Sequence, residues 1–129
     1  MLAVDTNVVV RYLVRDDPDQ AARAASLIDG EAVWLALTVA LECEWVLRGA
    51  YRYSPTAITA ALRTFVGQNT VTVEQPAVLG QALDLCEAGM DFADALHVAA
   101  AAPTAGFRTF DAALAKQAAS LGLPQVRKL

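Results

Sequence analysis

Short apolar runs alternate along the chain with longer segments in which apolar residues recur every three or four positions. The short runs predict strands, and the longer segments predict amphipathic helices. The predicted strands cover residues 2–4, 32–36, 70–73 and 107–110, with Val126 in a last edge strand. The predicted helices cover residues 8–14, 21–28, 38–49, 55–66, 76–89, 92–102 and 112–121.

The ends of these helices are marked by residues with known capping preferences. Four polar residues are predicted N-caps, and two of them precede a proline, which suits the first helical position. These four are Asp17, Thr38, Ser54 and Asp91. Glycines at 30, 49, 67 and 89 are predicted to end helices.

Alternation of short apolar strands with helices predicts a particular fold class. Parallel strands need helical crossovers and are buried on both faces. We therefore expect an α/β fold, a three-layer α/β/α sandwich with a central, mostly parallel sheet. The chain has 129 residues without a repeat or linker, so a single domain over 1–129 is expected.

Composition excludes several classes of protein. The chain carries 14 acidic and 10 basic residues, for a net charge of −4, so a broad basic surface for nucleic acid is excluded. Cys43 and Cys86 lie far apart in apolar helical patterns, which argues against a disulfide framework or a zinc site. The longest uncharged apolar stretch, 32–41, is about half of a membrane span, and the first residues lack the pattern of a signal peptide. We expect a cytoplasmic protein with no membrane segment.

Four carboxylates are predicted at the carboxyl ends of the strands, where sites form in parallel sheets. Asp5 ends the first strand, Glu42 lies one turn into the helix after the second, Asp94 lies in the first turn of its helix, and Asp111 follows the fourth strand. We expect these four acids to converge. Because clustered carboxylates repel each other unless a cation neutralises them, and because oxygen ligands suit hard cations, the cluster predicts Mg²⁺ or Mn²⁺.

Each of these acids also has a purely structural interpretation. Asp94 with Asp91 resembles a capping box, and Asp111 is suited to be an N-cap. Asp5 is harder to explain in that way, because Thr6 could cap the first helix after a buried strand. Glu42 and Glu44 interrupt an apolar helix, and of the two we expect Glu44 to be the solvated one.

Other polar and aromatic residues have secondary roles in this interpretation. Thr6, Asn7 and Thr109 are predicted to orient a carboxylate or a water molecule, and turn or cap chemistry is their alternative role. His97 is left outside the catalytic set, because a helix histidine is at least as often structural. The tryptophans and phenylalanines are expected in the core or at an interface rather than as base-stacking residues.

Four segments together resemble a known family. They are Val4-Asp-Thr-Asn-Val, Leu41-Glu-Cys-Glu-Trp-Val-Leu-Arg48, Asp91-Phe-Ala-Asp-Ala-Leu-His97 and Thr109-Phe-Asp111. In this order they look like a PIN-domain protein of the VapC toxin type. The resemblance places the acidic metal site of that family on Asp5, Glu42, Asp94 and Asp111, with Asn7 and Thr109 as its polar supporting residues.

The resemblance implies a Mg²⁺- or Mn²⁺-dependent endoribonuclease, the toxin of a toxin–antitoxin pair. It also implies a homodimer that a cognate VapB-type antitoxin neutralises. In the implied mechanism, a metal held mainly by Asp5 and Asp94 polarises the scissile phosphate and activates water, while Glu42 or Asp111 binds a second ion or removes a proton. Relatives differ in their need for the fourth acid, and Asp111 is also suited to be an N-cap.

Arginines near the predicted site are candidates for contacts with RNA, since an acidic pocket alone repels phosphate. They are Arg11, Arg15, Arg48 and Arg52, and pairing with Asp16, Asp17 or Glu44 is the alternative. A haloacid-dehalogenase-like phosphatase is disfavoured by Asn7, and a receiver-type phosphoacceptor by the lack of a well-placed lysine. The remaining alternative is a catalytically silent PIN-like module that binds a protein.

Overall fold

The computed structural model describes all residues from Met1 to Leu129, and the chain divides into two compact units. The first unit covers Met1–Pro76 and the second covers Ala77–Leu129. In the first unit the elements are β1 (Leu2–Ala3), α1 (Thr6–Val14), α2 (Pro18–Gly30), β2 (Val33–Leu35), α3 (Leu37–Gly49), α4 (Pro55–Val66) and β3 (Val71–Val73). In the second unit they are α5 (Pro76–Glu87, its first residue in unit one), α6 (Phe92–Ala100), β4 (Phe107–Thr109), α7 (Ala112–Ser120) and β5 (Val126–Lys128).

The sheet of the first unit is parallel, in the order β1-β2-β3. Its middle strand is buried at Val33 and Leu35, as expected for a strand covered on both faces. Strand β1 differs from the prediction, because Leu2 and Ala3 are exposed and only the following Val4 is buried. The largest fully buried side chains of this unit are Phe65, Ile28, Leu35, Leu47, Ile58, Leu62, Val9 and Val33.

Two of the predicted caps in this unit are confirmed and one is wrong. The side chains of Asp17 and Ser54 accept hydrogen bonds from backbone N–H groups three residues later, each at 3.1 Å. Thr38, however, lies inside α3, which begins at Leu37. The residue at its N-cap is Ala36, whose side chain cannot accept a hydrogen bond, and Oε1 of Glu74 accepts from Leu37 N at 3.0 Å instead.

The second unit contains a parallel pair of strands, β4 and β5, in which Phe107 aligns with Val126. The predicted edge strand is therefore confirmed, and it extends to Lys128. Asp91 caps α6 and Asp111 caps α7, as their positions before helices predict. Gly89 follows α5 with a φ of 107°, a left-handed conformation that favours glycine over residues with a side chain.

The predicted α/β class with parallel strands is confirmed. Every strand pairing is parallel, and the strands form two sheets, one in each unit. None of the helices is both long and apolar enough to cross a membrane.

Candidate functional site

Asp5 lies at the N-terminus of α1 and caps that helix. Its Oδ1 accepts a hydrogen bond from the backbone N–H of Val8 at 3.2 Å. Thr6 is the first residue within the helix, so the expectation that Thr6 could serve as the cap is wrong. Asp5 is nevertheless exposed, which leaves its second carboxylate oxygen open to solvent or a cation.

Glu42 lies on α3 and is linked to α1 by a hydrogen bond. The hydroxyl of Thr6, which is 6% exposed, donates to Oε1 of Glu42. The Glu42 residue itself is exposed. Because a buried donor fixes one oxygen of this carboxylate, Glu42 is held in a defined orientation.

Glu44 is not the solvated glutamate that we expected. It is only 5% exposed, and its carboxylate accepts from Nε and Nη2 of Arg48 at 2.9 and 3.3 Å. Arg48 lies one helical turn after Glu44, at the i+4 position where such pairs meet. The arginine therefore supplies the counter-charge that makes burial of this carboxylate possible, and Glu42 is the exposed member of the pair.

The pKa of the Cys43 thiol is affected by burial and by the acids Glu42 and Asp5. Burial raises the pKa of its thiol to about 12, and the negative charges of Glu42 and Asp5 add to that effect. The thiol is therefore protonated at neutral pH and does not act as a nucleophile.

In the second unit, Asp94 and Asp111 line one cavity of about 660 Å³, together with Asp91. Asp111 caps α7, with its Oδ1 accepting from Leu114 N at 3.0 Å. Its own backbone N–H donates to Oγ1 of Thr109 at 3.0 Å. The predicted capping role of Asp111 is thus observed, and Thr109 fixes the backbone from which that carboxylate projects.

Asp94 is the carboxylate whose acidity is most affected by its surroundings in this cavity. Burial raises its pKa, and the negative charges of Asp91 and Asp111 raise it further, while His97 acts in the opposite direction. The cap acceptor of α6 is Asp91, whose Oδ2 accepts from Asp94 N at 3.1 Å. The carboxylate of Asp94 therefore stands in excess negative charge, which a bound cation would relieve.

Two residues beside these acids were not selected from the sequence. Lys116 lines the same cavity, and Phe110, between Thr109 and Asp111, is 79% exposed. Lys116 could have been found from the sequence, because the residues of α7 that line the cavity recur at the spacing of one helical face. These residues are Ala113, Lys116, Gln117 and Ser120, together with the buried Leu114. No local signal marks Phe110 as exposed, since an apolar residue after an apolar strand predicts burial.

Two of the candidate arginines make the ion pairs that were their alternative role. Nη1 of Arg11 donates to Asp16 Oδ1 at 3.0 Å and to the Tyr51 hydroxyl at 2.9 Å, and that hydroxyl donates to Asp16 Oδ2 at 2.9 Å. The Tyr51 hydrogen bond and the Arg11 charge lower the pKa of Asp16 against the opposing effect of burial. Arg48 pairs with Glu44, as described above.

Arg15 and Asn7 also lie in the first unit. The guanidinium carbon of Arg15 is 5.0 Å from the ring centre of Tyr12, a cation–π distance. Asn7 lines a cavity of about 370 Å³ between α1 and α2, with Arg11, Gln20 and Arg23 among its neighbours. The predicted contacts of these residues with RNA or with a carboxylate stay predictions.

The carboxylate oxygens in each unit are suitable ligands for a hard divalent cation. Asp5 and Glu42 belong to one unit and Asp94 and Asp111 to the other, and all four offer oxygen ligands only. Neither unit by itself gathers three or more His, Cys, Asp or Glu side chains in an arrangement that could hold a metal ion. Mg²⁺ is commonly held by one or two carboxylates, with water and substrate phosphate completing its coordination, so a pair of carboxylates fits this mode of binding.

Comparison with known proteins gives a family and a structural neighbour. The model of the PIN domain family matches residues 2–120. A solved structure of similar fold is that of VapC20 from Mycobacterium tuberculosis, a toxin described as cleaving the sarcin–ricin loop. The two chains are 19% identical, with a TM-score of 0.44 over 98% of this chain and 99% of that one. No curated protein matches the chain.

Proposed function

Because the chain belongs to the PIN domain family, we propose that it is a metal-dependent endoribonuclease that hydrolyses phosphodiester bonds in RNA. The proposal rests on four carboxylates, which occupy the acidic positions of the family motifs. They are Asp5, Glu42, Asp94 and Asp111. Two of them, Asp94 and Asp111, line one cavity, and Asp94 stands there in excess negative charge. Such an arrangement is costly for a protein without a cationic ligand.

We propose that Asp5, Glu42, Asp94 and Asp111 hold Mg²⁺ or Mn²⁺. When bound, the cation supplies positive charge for the phosphate oxygens and makes nearby water more acidic. The chain's own residues then have separate tasks. Asp5 in the first unit and Asp94 in the second each carry negative charge for a bound cation, and Thr109 fixes the backbone of Asp111.

A proton must leave the water that attacks phosphorus, and Glu42 and Asp111 are the proposed acceptors. Glu42 is exposed, and the bond from Thr6 to its Oε1 leaves Oε2 as the acceptor atom. Asp111 has one oxygen engaged by Leu114 N, so its Oδ2 is the corresponding acceptor. In both cases a hydrogen bond to one oxygen orients the other.

The biological role that we propose is that of a toxin, held as a homodimer and neutralised by a cognate VapB-type antitoxin. The order and content of the four motifs support this role. For the homodimer, the supporting observation is Trp45 on α3, which is 64% exposed. Tryptophan is enriched at surfaces that bind another protein.

A second function is favoured by a specific observation. Asp5 and Asp111 both cap helices, so each has a structural reason to be present without any metal. On that basis the chain would be a silent PIN-like module that binds a protein. Calorimetric titration with Mn²⁺ distinguishes the two functions, because capping carboxylates give no binding heat that disappears in Asp94→Asn.

The proposed activity is tested by incubating the purified chain with a pool of structured RNAs. Cleavage is compared in Mg²⁺, in Mn²⁺ and in a chelator. Cleavage that requires the metal supports the nuclease, whereas Mn²⁺ binding and cleavage both absent would favour the binding module.

A further inference from the structure

The cavity of the second unit extends beyond the carboxylates that we assign to the metal. Its lining includes the carboxylates of Asp91, Asp94 and Asp111 and, from α7, the residues Lys116, Gln117 and Ser120. With a volume of about 660 Å³, the cavity has room for much more than a hydrated cation. It therefore has room for part of a substrate as well as for a cation.

Lys116 is the only cationic residue that lines this cavity, and it is not used to neutralise the acids. It forms no ion pair with them, and its ammonium is not among the charges that set the pKa of Asp94. A lysine in an acidic cavity that remains apart from the carboxylates is placed to meet an anion that is brought in from outside. A phosphate group is such an anion, and a lysine ammonium binds it as a point charge.

Phe110 adds an exposed aromatic ring at the position next to Asp111, one of the acids that line the cavity. It precedes Asp111, and at 79% exposure it is the most exposed large apolar side chain of the chain. The hydrogen bond from the backbone N–H of Asp111 to Oγ1 of Thr109 spans Phe110 and restrains the backbone that carries it. An exposed aromatic ring at such a position offers a stacking surface for a nucleic-acid base.

We propose that Lys116 and Phe110 form a subsite for single-stranded RNA, in which Lys116 binds a backbone phosphate and Phe110 stacks on an unpaired base. A cation combined with an exposed aromatic ring is the usual means of binding single strands. The subsite rests on the proposed nuclease function, since it places an RNA strand next to Asp94 and Asp111. It also reverses our expectation that the phenylalanines do not stack on bases.

The test measures binding of a fluorescein-labelled single-stranded RNA by anisotropy, in Mg²⁺ and over a range of salt concentrations. All proteins carry Asp5→Asn, which is expected to prevent cleavage and lies outside this cavity. Lys116→Gln is expected to weaken binding and to reduce the slope of log affinity against log salt by about 0.7, the value for one phosphate contact on a single strand. Lys116→Arg is expected to retain the slope.

Phe110 is tested with substitutions that separate stacking from simple apolar contact. Phe110→Leu is expected to weaken binding about tenfold, with an unchanged salt slope, because base–aromatic stacking is lost without a change of charge. Phe110→Tyr keeps an aromatic face and is expected to bind RNA as tightly as the protein that carries Asp5→Asn alone. The matched control is Lys128→Gln, which removes the only other lysine, exposed on β5 and outside the cavity lining.

Several results would overturn the subsite. The first is that the protein carrying Asp5→Asn alone does not bind RNA. The second is that Lys116→Gln and Lys128→Gln show the same slope of log affinity against log salt. The third is that Phe110→Leu changes the oligomeric state and leaves RNA affinity intact. Cleavage by the wild-type chain is measured in parallel. A wild-type chain that cleaves while these variants bind normally refutes the subsite alone, and a chain that does not cleave while the variants lose binding refutes the nuclease alone.

Discussion

The buried hydroxyl of Thr6, on α1, donates a hydrogen bond to Oε1 of Glu42, on α3. The bond joins two segments that lie 36 residues apart in the sequence. It therefore couples the helix that Asp5 caps to the helix that presents the second proposed ligand.

Replacing Thr6 by Val removes this donor with little change of volume. We expect RNA cleavage to fall by about 10–100-fold, the usual effect of losing the group that orients a metal ligand. Thr6→Ser keeps the hydroxyl and is the control. Single-turnover cleavage and thermal unfolding are measured for both, and a Thr6→Val variant with wild-type cleavage would show that the orientation of Glu42 has no role.

Substitutions of Asp5 separate its role as a cap from its role as a ligand. Asn caps helices about as well as Asp, so Asp5→Asn is expected to retain stability and to lose cleavage. Asp5→Ala is expected to lose cleavage and also about 1 kcal/mol of unfolding free energy. Chemical denaturation and cleavage assays check both. A strongly destabilised Asn variant, or an Ala variant that still cleaves, would contradict these assignments.

Asp94 is expected to make stability depend on pH with a definite sign. Its pKa is raised in the folded protein by burial and by Asp91 and Asp111, so the folded state holds its proton to a higher pH than the unfolded state does. Its contribution to stability is therefore lost as pH rises from the ordinary pKa of Asp, about 3.9, through the raised value. Without metal, Asp94→Asn is expected to be at least as stable as the wild type at neutral pH.

The measurement is the difference in melting temperature between Asp94→Asn and the wild type as a function of pH, in a chelator. We expect the difference to grow in favour of the variant as pH rises through that window. Asp29→Asn, which changes an exposed carboxylate on α2 in the same way, is the matched control. A variant that becomes less stable than the wild type with rising pH would show that the carboxylate of Asp94 is favourable in the metal-free fold.

Arg48 is expected to stabilise the fold through Glu44. Arg48→Met leaves a buried carboxylate without its partner, and we expect the unfolding free energy to fall by about 1–3 kcal/mol. The double variant Arg48→Met, Glu44→Leu is expected to recover most of that loss, since replacing both members of a buried pair is often neutral. If Arg48→Met instead retains its stability and raises KM for RNA, the arginine acts on the substrate.

Local sequence signals were sufficient for most of the secondary structure. Asp17, Ser54, Asp91 and Asp111 all precede helices and cap them, because the capping bond spans only three residues. The prediction that Thr38 caps α3 was wrong because Glu74 accepts the hydrogen bond from the start of that helix. Glu74 is 37 residues from Leu37, so no local sequence pattern indicates it.

The sequence pointed to the acids of the candidate site but not to their surroundings. Because the four acids follow the carboxyl ends of strands, we expected all four to converge; Asp94 and Asp111 line one cavity, and the convergence of all four stays a prediction. Glu44 was misjudged because helical angle alone ignores Arg48, whose charge allows that carboxylate to be buried. Phe110 was missed because exposure of an apolar residue depends on which elements cover it, and sequence alone does not specify that.

We propose above all that this PIN domain cleaves RNA with a divalent metal bound by its acidic residues. The most direct measurement compares the wild-type chain and Asp94→Asn, prepared identically and free of any partner, on the same structured RNA pool in Mg²⁺, Mn²⁺ and chelator. We predict that the wild type cleaves only with metal and that the variant does not cleave although it remains folded. Equal cleavage by both proteins, or cleavage in chelator, would contradict the account.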